Sequence, residues 1–143
     1  MKLDRIARLL RVSKARTLVE QSRLAAVRRA QARLFAEATR LDEAARAPLD
    51  PGDEIDAAAR KQYAARQRAL EQGADRRRAE AEALAGSRDA HDRSLRASLR
   101  REIAWRSLEG AALGAERDAR NAQEEEQREA FVQMRDREKL QKD

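Results

Sequence analysis

The chain has 143 residues, a net charge of +6, 41% charged residues, 3% aromatic residues and no cysteine. That composition excludes a thick hydrophobic core, a disulfide scaffold and thiolate chemistry, and it is typical of long helices and coiled coils. Intrinsic disorder is the competing reading of so polar a chain, but Ala, Leu, Arg, Glu and Gln are strong helix formers and dominate here.

The start, Met1-Lys2-Leu3-Asp4-Arg5, is broken by charge too early for a signal-peptide core, and no apolar run is long enough to span a bilayer. A first helix is expected over about residues 3–46. Its apolar stripe keeps a 3-4 spacing through Leu3, Ile6, Leu10, Ser13, Thr17, Glu20, Leu24, Val27, Gln31, Leu34, Ala38, Leu41 and Ala45. The stretch Ser13–Glu20 is polar, and Leu18 and Val19 suggest a local shift of the stripe. Residues 1–46 carry twelve Lys or Arg against five Asp or Glu, a charge of +7. Residues 47–90 carry eight against nine, and residues 91–143 twelve against twelve, so the excess belongs to the first helix.

Ala47-Pro48-Leu49-Asp50-Pro51-Gly52-Asp53 holds both prolines and must be the turn, since proline removes the amide a helix interior needs. Asp53 is the expected N-cap of a second helix over about 54–139. Tyr63, Leu70 and Leu84 share one seven-residue row, and Trp105, Leu108, Ala112, Ala115, Ala119 and Ala122 keep a 3-4 spacing. Acid-before-base pairs support this helix locally: Asp56–Arg60, Asp89–Arg93, Asp92–Arg96, Glu102–Arg106, Glu116–Arg120 and Glu124–Arg128. Gly86-Ser87 is the most plausible interruption, and a real break there would give a three-helix bundle. The fold class expected is otherwise all-α, one long antiparallel helical hairpin or coiled coil with an overhanging second helix, forming a single domain over 1–143.

A symmetric turn near residue 50 sets Ile6 opposite Ser94 and exhausts the first helix near Ala97. The forty or so residues beyond it, roughly 60 Å of helix, would then lack an internal partner. They hold Trp105 and the cluster Phe131, Val132 and Met134, which suggests a partner-binding surface, a self-association seam or a frayed tail. No catalytic, cofactor or metal site is expected. His91 lies among Asp89, Asp92 and Arg93 and reads as a solvated residue, and Glu124-Glu125-Glu126 points around three faces of a helix. Arg76-Arg77-Arg78 and Arg100-Arg101 read as solvated faces, because acid is interleaved and no aromatics alternate with them, so nucleic acid is not the expected partner.

An unequal, charged, cysteine-free hairpin of this length resembles the flagellar export protein FliJ family and its virulence-secretion relatives. The residues that carry the resemblance are the basic start Leu3–Val12, the turn before residue 54, the stretch Arg100–Arg106 and the late stretch Glu129-Ala130-Phe131. The resemblance implies a cytoplasmic, non-enzymatic stalk without cofactors. Such a stalk enters the export ATPase ring and links it to the cytoplasmic domain of the export-gate membrane protein, peripheral at the inner membrane and without inserting into it. It also escorts export chaperones. The family's gate-binding patch would fall on Tyr63 and Leu70, although Gln67 departs from its apolar pattern. The basic tip, with Arg5, Arg8 and Arg11, is the expected contact for the ATPase, and Trp105 and Phe131 are further candidate partner contacts. The alternatives are a homo-oligomeric coiled-coil scaffold and a basic-arm nucleic-acid binder.

Overall fold

The computed structural model describes residues 2–49 and 56–140. The chain is all-α, with helices α1 (Lys2–Arg46), α2 (Ala57–Ala83) and α3 (Ala85–Leu140). No helix among the described residues is long and apolar enough to cross a membrane. The helical hairpin expected from the sequence is present, and the chain divides into two compact units. One is Thr17–Ala97; the other joins Met1–Arg16 to Ser98–Asp143.

All thirteen positions of the α1 stripe are buried or half-buried, including the polar Ser13, Thr17 and Gln31. The facing surface is also a seven-residue repeat. Tyr63, Leu70, Arg77, Leu84, His91, Ser98, Trp105 and Ala112 form one half-buried or buried row, and Gln67, Ala74, Ala81, Arg88, Leu95, Glu102 and Glu109 form the other. The expected seam positions Leu108, Ala115 and Ala122 are corrected, because they are exposed and Glu102 and Glu109 take the second row; Ala119, which would extend the first row, is exposed as well. Buried area is small throughout. The apolar core consists of Leu10, Leu24, Ala38, Ala45, Ala74 and Ala81, and alanine contributes far less per residue than the roughly 1.5–3 kcal/mol of a buried leucine.

Within Thr17–Ala97, polar contacts fix the pairing of α1 with α2 and the start of α3. Gln31 Nε2 donates to the Ala81 carbonyl at 2.9 Å, and Glu20 Oε2 lies 3.3 Å from His91 Nδ1. A symmetric turn would have set Gln31 against Ala69 and Glu20 against Glu80, so the register differs from expectation by about three helical turns. The N-cap of α2 is Asp56, whose carboxylate accepts from Ala59 N at 2.7 Å. Residues 57–62 are all exposed, and contact with α1 begins at Tyr63. The first turn and a half of α2 therefore makes no helix pair, which shifts every later contact toward the C-terminus. Asp53, the expected cap, lies outside the described residues.

The interruption falls at Leu84 rather than at Gly86. Leu84 stays in the right-handed region (φ −78°, ψ −10°), its N–H reaches Ala81 O at 3.2 Å, and Arg88 N bonds back to Leu84 O at 2.9 Å. This is one tightened turn, not a reversal, and the hairpin is not converted into a three-helix bundle. The Ala81 carbonyl also accepts from Gln31, so a side chain from α1 is bonded to the helix at the tightened turn.

Candidate interaction surfaces

In the unit joining Met1–Arg16 to Ser98–Asp143, the start of α1 pairs with α3 from Ser98 to about Glu116. The expectation that α1 is exhausted near Ala97, with Ile6 opposite Ser94, is thereby corrected. Ile6 and Leu3 instead line a groove with Leu108, Ala111, Ala112, Ala115 and Glu116. A second groove follows along the same pair, lined by Leu9, Val12, Ser13, Arg16, Ser98, Arg101 and Trp105. Trp105 is half-buried here, so it is not part of an uncovered overhang. Leu9 and Val12 beside it are exposed, as are Ile103, Leu108 and Leu113.

Arg5, Arg8 and Arg11 are all exposed, as their positions outside the stripe require. From Arg117 to Glu138 every residue of α3 is exposed. Phe131 is 65% accessible and Met134 61%, which leaves two large apolar side chains in water on one face, one turn apart. Glu124, Gln127, Arg128 and Val132 surround Phe131.

In the unit Thr17–Ala97, Tyr63 and Leu70 are half-buried and lie on the row that faces α1. The Tyr63 hydroxyl donates to Ala47 O at 2.6 Å, and Gln67 Nε2 donates to Ala45 O at 2.9 Å and to the Tyr63 oxygen at 3.1 Å. These carbonyls end α1, where the last C=O groups have no intrahelical donor, so Tyr63 and Gln67 cap one helix from another. That explains the polar Gln67 at a position where an apolar residue was expected.

His91 is corrected from a solvated residue to a half-buried one that meets Glu20, itself held by Arg23 at 3.0 Å. The arginine run is mostly used internally. Arg77 bridges Glu37 at 3.2 Å and Glu80 at 2.8 Å, while Arg78 pairs with Asp42 and with Asp75. The hydrogen bond and charge of Glu80, then the charge of Glu37, raise the Arg77 pKa above its ordinary value. That shift lies at strongly alkaline pH, so it leaves the Arg77 charge unchanged under ordinary conditions. Of the expected helix pairs, Asp92–Arg96 and Glu102–Arg106 close at 2.7 and 2.6 Å, and Asp89 pairs with Arg88 instead of Arg93.

Sequence reasoning placed Gln31 in the α1 stripe, where it is buried, but missed His91 and Gln67 as contact residues. For His91 the signal was present: it extends the row of Tyr63, Leu70 and Leu84 by seven residues. No family model, curated protein or solved structure matches the chain.

Proposed function

We propose that this chain is a non-enzymatic coiled-coil component of a flagellar or related type III export apparatus. In this reading it is a cytoplasmic stalk that couples the export ATPase ring to the export gate and escorts export chaperones. The observation that supports it most is the outward placement of Arg5, Arg8 and Arg11 on a paired helical end. Such a cluster suits capture by an acidic ring mouth, and charge of this kind mainly steers encounter. Trp105 and Phe131 supply apolar contacts for chaperones, and the gate contact is assigned to Tyr63 and Leu70.

The test is stimulation of the export ATPase by the wild-type chain and by Arg5→Glu/Arg8→Glu/Arg11→Glu across a salt series. The triple variant should stimulate much less at low salt and approach wild type at high salt, because screening acts over about 8–10 Å at physiological ionic strength. Equal stimulation at every salt concentration would overturn the assignment of the basic end. For the gate, Tyr63→Phe removes only the hydroxyl cap and should keep binding. Tyr63→Ala/Leu70→Ala should lose binding while helicity by circular dichroism is retained. Loss of fold together with binding would show that both residues serve helix pairing alone.

A further inference from the structure

Two surfaces of the unit Met1–Arg16 with Ser98–Asp143 are complementary to each other and cannot meet within one chain. The first is the apolar groove of Leu9, Val12 and Trp105, rimmed by Arg16 and Arg101, with exposed Arg5 farther along α1. The second is the uncovered end of α3, where Glu124, Gln127, Phe131 and Met134 form one face at 3-4-3 spacing. Its acidity is confined to Glu124–Glu129, four carboxylates against Arg128 alone, while Arg135 and Arg137 balance Asp136 and Glu138 beyond Phe131. Trp105 and Phe131 are 26 positions apart on one unbroken helix, roughly 40 Å at 1.5 Å per residue, so a chain cannot place its own Phe131 in its own groove.

We infer that the groove receives the α3 end of a second copy of this chain, in an antiparallel, two-fold symmetric pair. A two-fold axis uses each surface twice, once from each copy, as an isologous interface requires. With Phe131 of one copy beside Trp105 of the other, the antiparallel direction carries Glu124–Glu126 toward the level of Arg5. The same alignment carries the alternating Arg135-Asp136-Arg137-Glu138 to the level of Arg16 and Arg101, so the charge match rests on Glu124–Glu126. Two copies of the contact allow short helical segments to reach the roughly 1,200–2,000 Å² that stable pairs bury. The inference does not rest on the export reading. It goes beyond it, because self-pairing occupies Arg5, Trp105 and Phe131 and so competes with partner capture.

The test is the mass of the full chain by sedimentation equilibrium over an about hundredfold concentration range, which shifts a reversible dimer. Wild type should dimerise, and Phe131→Ala should weaken the dimer by about tenfold or more, as expected for a buried aromatic anchor. A charge swap then identifies the surfaces. Arg5→Glu/Arg16→Glu/Arg101→Glu makes the groove rim acidic, and Glu124→Arg/Glu125→Arg/Glu126→Arg/Glu138→Arg makes the tail basic. Each variant alone should be monomeric, with helicity checked by circular dichroism, while an equimolar mixture should dimerise. Wild type that stays monomeric throughout would overturn the proposal. So would either variant dimerising alone as well as wild type, or folded variants that stay monomeric when mixed.

Discussion

Gln31 illustrates how a polar residue can be built into a thin core. It is buried in the α1 stripe and donates its amide to Ala81 O, the carbonyl that also accepts the Leu84 N–H of the tightened turn. Gln31→Ala should lower unfolding stability by about 1–2 kcal/mol in denaturant titrations, combining a lost hydrogen bond with lost packing. A change within a few tenths of a kcal/mol would mean that the bond contributes nothing. Glu20 and His91 give a second case. His91→Glu should cost about 1 kcal/mol by the same measurement, because it sets two carboxylates face to face in the seam. Neither role was legible from single residues, since Gln and His are ordinary on solvated helix faces. Their positions in seven-residue rows were the available signal.

The α1 helix was the most legible element, because nine of its thirteen stripe positions are apolar and the polar four simply follow the same spacing. The pairing register was not legible. A proline-rich turn says where the chain reverses, but not how much helix projects past the reversal before pairing begins. Here residues 57–62 project, and the register is chosen by contacts such as Glu37–Arg77, Asp42–Arg78 and Glu20–His91. Tyr63 and Gln67, read from the sequence as part of a partner-binding row, are engaged with the end of α1 through the Tyr63 hydroxyl and the Gln67 amide. Glycine was weighted too heavily as a helix breaker. Gly86 lies inside α3, and a Cβ added there would meet nothing within 4 Å. Gly86→Ala should therefore raise stability by about 0.5–1 kcal/mol, read as a higher Tm, through reduced freedom of the unfolded chain. At Gly73 the gain should be smaller, because a new methyl would come within 3.4 Å of Leu41 Cδ1.

Across the chain, uneven charge and uneven coverage coincide. The +7 of residues 1–46 is concentrated at the start of α1, beside apolar grooves, while the C-terminal end of α3 is fully exposed and carries Phe131 and Met134. A covered stretch from Ser98 to about Glu116 followed by an uncovered one is the feature on which both the partner reading and the self-pairing depend. Hydrogen exchange measured along the full chain at two protein concentrations tests it most directly, because local opening is easy where few apolar contacts exist. In dilute protein, amides of residues 98–116 should be protected well above those of residues 117–138, and protection of 117–138 should rise when the protein is concentrated. Exchange as fast in residues 98–116 as in 117–138, or full protection of 117–138 in the dilute chain, would contradict the account.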